Sequence, residues 1–384
     1  MTVTYPAGFV AAGVAAGIKD SGAKDVALVV NDGPRFTAAG VFTANRVQAA
    51  PVLWSRQVLT SDSALRAVVL NSGGANACTG PRGFQDTHAT AERVAECLNI
   101  GAASVAVCST GLIGEYLPMG ALLAGVDEAA AALSDTGGPD AATAIMTTDT
   151  VPKQVAIESD GYRVGGIAKG AGMLAPGLAT MLCVITTDAV IDQETADSAL
   201  REACRVSFDR LDSDGAMSTN DTVILMASGA SGVSADGASF TDVLTRACRD
   251  LAGQLLADAE GATKEVAITV TGAADETDAV TVGRTVARNN LVKCALFGQD
   301  PNWGRVLAAV GTTDAVFDPA DLDVAINGVW ICRNGTAAAD RSTVDLSGRD
   351  VTITVALGAG EAEATVWTND LSHAYVHENS AYSS

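Results

Sequence analysis

Lys169-Gly-Ala-Gly-Met-Leu-Ala-Pro-Gly-Leu-Ala-Thr180-Met-Leu182 is the stretch on which the reading of this chain turns. A glycine-rich loop carrying Pro176 runs into one threonine, and an apolar, strand-like run from Met181 to Ile185 follows at once. A hydroxyl held between a bent loop and a buried strand can attack the peptide bond just before it. Cleavage of Ala179–Thr180 would leave Thr180 as a new N-terminus, with a nucleophile and an amine base on one residue. Two plainer readings compete. Gly170-Ala-Gly172-Met-Leu-Ala175 fits a dinucleotide-binding fingerprint, with Asp188 eighteen residues further on. That fold needs a full helix between loop and next strand, and Pro176 and Gly177 interrupt the few residues available. The other competitor is an ordinary strand threonine, a residue type enriched in strands. Spacing alone does not remove it.

Outward from the loop, short β-rich runs alternate with helical patterns. Ala27–Val30, Ala67–Asn71, Val105–Cys108 and Met181–Ile185 read as buried strands, as do Thr222–Met226, Val266–Val270, Val292–Phe297, Val324–Ile326 and Val351–Val355. Helical spacing marks 86–98, 117–133, 194–206 and 241–260, the last with Gly261 as its stop. Glu260 thereby reads as a last-turn carboxylate, which opposes the helix dipole and asks for another reason to be there. Alternating elements predict an α/β layered fold. Only 135–140 and 234–238 have linker composition, too short to separate domains.

Of the 384 residues, 48% are hydrophobic and 4% aromatic, so the core is built from Ala, Val, Leu and Ile and disorder is excluded. The net charge of −21 argues against nucleic acid, whose phosphates demand Lys and Arg. The eight cysteines contain no C-x-x-C pair and mostly lie in apolar runs, so they read as free thiols of a reducing compartment. His373 and His377 have i, i+4 spacing, but no helix is evident around them, and no metal site is expected. Neither a signal-like N-terminus nor an apolar run of the ~20 residues needed to cross a bilayer is present, so no membrane association and a cytoplasmic location are expected.

Several further segments carry a resemblance. Besides the Lys169–Leu182 loop they are Ala50-Pro-Val52, Asn71-Ser-Gly-Gly-Ala-Asn-Ala-Cys-Thr-Gly80, Ser109-Thr-Gly-Leu-Ile-Gly114 and Met146-Thr-Thr-Asp149. Asp212-Ser-Asp-Gly-Ala-Met-Ser-Thr-Asn-Asp-Thr222, Asp258-Ala-Glu-Gly-Ala-Thr-Lys264, Phe297-Gly-Gln-Asp-Pro-Asn-Trp-Gly-Arg305 and Glu378-Asn-Ser-Ala-Tyr-Ser-Ser384 follow in order. Together the chain resembles the ornithine acetyltransferases, or glutamate N-acetyltransferases, of arginine biosynthesis. Gly74 departs from the usual Asn of that family, and Gly177-Leu178 from the commoner Asn-Met.

The resemblance implies a layered α/β sandwich with helices packed outside two stacked β-sheets. It also implies self-cleavage into an alpha chain of residues 1–179 and a beta chain of residues 180–384, two copies of each forming a heterotetramer. Ala179 and Thr180 are then the cleavage site, Thr180 the nucleophile, and Thr110 and Gly111 the oxyanion hole. Thr147, Lys169, Thr180, Glu260, Asn379 and Ser384 are the implied substrate contacts, Lys169 suited to a carboxylate and Glu260 to an ammonium. The implied substrates are N2-acetylornithine and glutamate, with no metal and no organic cofactor. The residues leave open acetyl-CoA as a second donor, a secondary-metabolite pathway, and a self-cleaving aminopeptidase of similar architecture.

Overall fold

Nine strands flank the loop just described in sequence: β1 (Phe9–Val14), β2 (Val26–Asn31), β3 (Thr37–Phe42), β4 (Ala67–Ser72), β5 (Val105–Thr110), β6 (Lys153–Ser159), β7 (Tyr162–Lys169), β8 (Leu182–Thr187) and β9 (Thr222–Ala227). The computed structural model describes residues 2–61, 64–175 and 181–381. These form two units, one running to Asp209 and including Ala216–Asp258, the other Arg210–Gly215 and the chain from Ala259. The nine strands belong to the first unit and make two sheets, ordered β1-β2-β4-β5 and β3-β9-β8-β7-β6.

Alternation along each strand builds two cores at once. Val29, Val68, Leu70 and Cys108 of the first sheet pack with Ile167, Val184, Ile224 and Met226 of the second. The intervening residues Leu28, Val69 and Val107 point the other way, onto Val94 of α2 (Gly80–Leu98) and Leu122 and Val126 of α3 (Met119–Ala131). On the far side, α5 (Gln193–Arg205) and α6 (Gly237–Ala257) pack together and cover the second sheet. The order is helix, sheet, sheet, helix, as the resemblance implied. Two shorter helices, α1 (Ala50–Ser61) and α4 (Gly138–Ala144), add Val58, Leu59, Ala141 and Ala144 to the core between the sheets. Pro51 stands in the first turn of α1, where its missing N–H has no helical partner to lose.

The second unit adds a third sheet that the two-sheet expectation lacked. It is built from β10 (Glu265–Ala273), β11 (Asp323–Ile326), β12 (Val329–Arg333), β13 (Thr336–Ala337), β14 (Asp350–Ala356) and β15 (Ala362–Asn369), in the order β13-β12-β11-β14-β10-β15. One face carries α7 (Glu276–Arg288), α8 (Asn290–Phe297) and α9 (Trp303–Val310), with Val282, Val286, Leu296 and Val306 on Ile268, Ile353 and Val366. A last helix, α10, spans His373–Ala381.

Three expectations need correcting. Val292–Phe297 is helical, not a strand: the Asn289 side chain caps it by accepting from Leu291 N–H and Val292 N–H, and Val292, Ala295 and Leu296 are buried at helical spacing. So short an apolar run carries no decisive period. α6 ends at Ala257 with Asp258 as C-cap, so Glu260 is a turn residue beyond the helix and its opposition to the dipole falls away. His373 and His377 do lie on a helix, yet His373 stacks edge-on against Phe297 at 5.3 Å. Among the described residues, no group of His, Cys, Asp and Glu is arranged to hold a metal.

Candidate active site

Thr110 is the last residue of β5, and Gly111 follows with φ +130°. A Cβ at Gly111 would stand 2.5 Å from Gly74 N and 2.7 Å from Gly73 C. Only glycine lets these two main chains approach so closely. The contact is fixed from several sides. Gly74 N–H donates to Thr110 O (3.0 Å) and Ala75 N–H to Leu112 O (2.9 Å). Asn71, at the end of β4, accepts from the Ser109 hydroxyl (2.6 Å) and donates to Gly74 O (3.1 Å). Asn220 completes the frame by donating to both Ala75 O (2.6 Å) and Ser109 O (2.9 Å).

Lys169 ends β7, and its side chain is 1% exposed. Its Nζ donates to Thr110 Oγ1 at 3.3 Å. Because the lysine occupies an acceptor position of that oxygen, the Thr110 O–H is turned to donate elsewhere. A hydroxyl donor beside the Gly111 N–H is the arrangement an oxyanion hole requires.

Asp149 joins one more expected residue, Thr147, to the start of the loop. Its Oδ2 accepts from the N–H of half-buried Thr147 (2.9 Å), and its Oδ1 accepts from Gly170 N–H (2.6 Å) and from Lys153 Nζ. Lys153 is fully buried and also donates to Asp258. Burial opposes the charge on Asp149, but Lys169 and Lys153 outweigh it and hold the carboxyl below the usual range.

Asp221 lies just ahead of β9, wholly buried. Its Oδ1 accepts from Met181 N–H (3.0 Å) and its other oxygen from Ser218 N–H (3.2 Å). Burial drives this carboxyl well above its ordinary value, against the pull of those N–H groups and of Lys169.

Thr110, Gly111, Thr147 and Lys169 are thus drawn together in the first unit. Glu260 and Asn379 belong to the second. Glu260 is 8% exposed, in a turn with Gly261 (φ +63°), where a Cβ would meet Tyr375 N at 2.2 Å. This close approach sets the Glu260 turn against α10. Burial first, then Asp214 and Glu260, pushes the Tyr375 phenol upward. Asn379 is exposed on α10, its side chain donating to Tyr375 O (3.0 Å). Ala179, Thr180 and Ser384 lie outside the described residues. Sequence reasoning gave Asp149, Asn220 and Asp221 no role, although each stands in a segment that carries the resemblance. No local pattern marks them, since each is flanked by polar residues, as in Thr148-Asp149-Thr150 and Thr219-Asn220-Asp221-Thr222.

The sequence matches the profile of the ArgJ family over residues 10–384. The chain belongs to the ArgJ family. Relatives of that family named arginine biosynthesis bifunctional protein ArgJ include one from Streptomyces coelicolor, 64% identical over 384 residues and 100% of both chains. One from Thermobifida fusca is 65% identical over 383 residues, again across 100% of both. A solved chain of an ornithine acetyltransferase from Mycobacterium tuberculosis, complexed with ornithine, is 66% identical; the match covers 46% of this chain and 94% of that one, with a TM-score of 0.45. ArgJ membership also sets the aminopeptidase alternative aside.

Proposed function

We propose that this protein moves an acetyl group from N2-acetylornithine to glutamate, giving ornithine and N-acetylglutamate for arginine synthesis. The observation that carries the reading is the ArgJ match along residues 10–384, with relatives above 60% identity over the whole chain. The buried Lys169–Thr110–Gly111 corner agrees with it, since it offers a cation and two oxyanion donors in one place.

In this reading the precursor cuts itself once. The Thr180 hydroxyl attacks the Ala179 carbonyl, the peptide nitrogen leaves as the Thr180 amine, and water hydrolyses the resulting ester. The freed amine has an ordinary pKa of about 7.7–8, suited to a base near neutral pH. It takes the proton of the Thr180 hydroxyl as the oxygen attacks the acetyl carbonyl. Gly111 N–H and the Thr110 hydroxyl take up the negative charge that develops, where one such donor is worth about 10²–10³ in rate. The proton passes to the departing amine of ornithine, leaving acetyl on Thr180. The glutamate amine then attacks that ester, and its proton returns to Thr180. Lys169 is assigned to a substrate carboxylate and Glu260 to an ammonium, and Thr147, Asn379 and Ser384 complete the proposed substrate contacts. Transfer to an amine in preference to water requires that the amine be positioned.

Acetyl-CoA serves as a second acetyl donor in this proposal, consistent with the bifunctional name of the relatives. Cytoplasmic location and a heterotetramer of two chains of each kind complete it. Among the described residues, no helix is long and apolar enough to cross a membrane.

Thr180→Ala should abolish both processing and transfer. A Thr180→Ala protein that is fully cleaved and active would overturn the assignment. Ornithine release from acetylornithine that proceeds equally without glutamate would replace the transferase with a hydrolase. N-acetylglutamate formed from acetyl-CoA and glutamate tests the second donor.

A further inference from the structure

The segment between Lys169 and Met181 is gripped at both ends by buried carboxylates. At its start, Asp149 Oδ1 accepts from Gly170 N–H (2.6 Å). At its far end, Asp221 Oδ1 accepts from Met181 N–H (3.0 Å), while Met181 O accepts from Thr222 N–H (3.1 Å). Lys169 acts electrostatically on both acids. Each carboxylate also holds a second main-chain donor, Thr147 N–H for Asp149 and Ser218 N–H for Asp221.

We propose that Asp149 and Asp221 are separate positioning residues, Asp149 for the Lys169–Thr147 substrate side and Asp221 for the peptide link that carries Thr180. The proposal rests on the acetyltransferase reading above. Its physical basis is the problem that cleavage creates. A new N-terminus loses its covalent neighbour, and chain ends fray unless tied down. Thr180 would keep one covalent tether, the peptide bond to Met181. The N–H of that bond is the group Asp221 holds, so the plane of the link stays set when the bond on the other side is gone. An amide replaces the two oxygens only in part. Asn offers one acceptor oxygen and turns an NH₂ toward a second N–H donor. Among the described residues of the loop, Asp149 by contrast holds only Gly170. It sets Thr147 and the start of the loop, so its loss should weaken substrate binding and spare the nucleophile.

The two acids therefore separate in kinetics. Asp221→Asn should slow self-cleavage at least about tenfold, and the matured enzyme should show kcat lowered about tenfold with KM for acetylornithine within about twofold. Asp221→Ala should fall below Asp221→Asn, because Asn retains an acceptor for Met181 N–H. Asp149→Asn should raise KM about tenfold, with kcat lowered less than about threefold. Melting of each substitution in the uncleaved Thr180→Ala background checks that the fold is kept. Independently of any acid variant, the Met181 amide of the matured wild-type enzyme should remain protected from hydrogen exchange. Equal shifts of kcat and KM in both variants, wild-type processing in Asp221→Asn, or Met181 exchange at the rate of a frayed terminus would each overturn the proposal. A wild-type protein that neither processes nor releases ornithine would instead defeat the underlying reading.

Discussion

The strands of the two units are buried in different ways. In the first unit β2, β4, β5, β8 and β9 are buried at every residue, because each lies in a sheet covered on both faces. In the second unit β14 alternates between buried and open positions, and β10 does so over most of its length, because helices cover one face only. The difference bears on where buried polar side chains gather. A strand covered on both faces reads as a continuous apolar run. Polar side chains in such strands collect at the ends, and there they need partners. Asn71, Ser72, Ser109, Thr110 and Lys169 are polar groups of that kind, and they frame the Gly111 corner. In the open face of the second unit's sheet, polar groups have no such constraint: the Thr269 and Thr365 hydroxyls simply pair at 2.9 Å.

The strongest way to break this contrast is a methyl group at two glycines of positive φ. Gly111→Ala should lower acetyl transfer by about 10² or more, since Gly73 and Gly74 leave no room beside the proposed oxyanion donor. Gly328, at φ +78° in the β11–β12 turn, has open space around it. Gly328→Ala should cost about 1 kcal/mol of stability and leave transfer unchanged. Initial rates and urea unfolding of the two proteins decide the matter.

Next in size come two nearly isosteric exchanges in opposite directions. Val184→Thr places a hydroxyl in the core between the sheets and should cost about 1–3 kcal/mol. Thr352→Val, on the open face of β14, should stay within about 0.5 kcal/mol. Similar losses at both sites would erase the distinction between the sheets.

The last effect is a slope, spread over pH. Burial raises Asp212, in the second unit, to about 6, against the opposing charge of Arg288. Between an unfolded value near 4 and that folded value the native state holds the extra proton. The contribution of Asp212 to stability is therefore present at low pH and declines as pH rises through this window. Asp212→Asn should flatten that decline in denaturant midpoints measured from pH 4 to 7.

These contrasts also mark what the sequence made legible. Ala67–Asn71, Val105–Cys108 and Thr222–Met226 are recognisable because two-sided burial leaves unbroken apolar runs. The β6–β7 hairpin passed unread although Asp160-Gly161 supplies its turn, both residues at positive φ. Its strand Tyr162–Lys169 carries Gly165 and Gly166, which weaken the apolar signal. Gly165 is there because Thr2 O would lie 2.2 Å from its Cβ, a contact between residues far apart in the chain that no local pattern contains. The site residues Thr110, Gly111 and Lys169 came from resemblance. Asp149 and Asp221 became visible only when their N–H partners were placed, since an acid that serves main-chain donors has no spacing of its own.

One further consequence follows from the order β3-β9-β8-β7-β6. The expected cut falls between β7 and β8, so β8 and β9 would become one polypeptide wedged between strands of another. The pieces would be interleaved rather than side by side. Pulling them apart means tearing two seams, β3–β9 and β7–β8, of six paired positions each. Maturation would thus be a one-way event in the life of the molecule. Before the cut, an unfolded chain regains its shape by itself; afterwards, two strangers must meet at whatever concentration the solution provides. A matured sample heated and diluted should recover activity in proportion to its concentration, whereas the uncut Thr180→Ala chain should regain its fold at a rate indifferent to dilution.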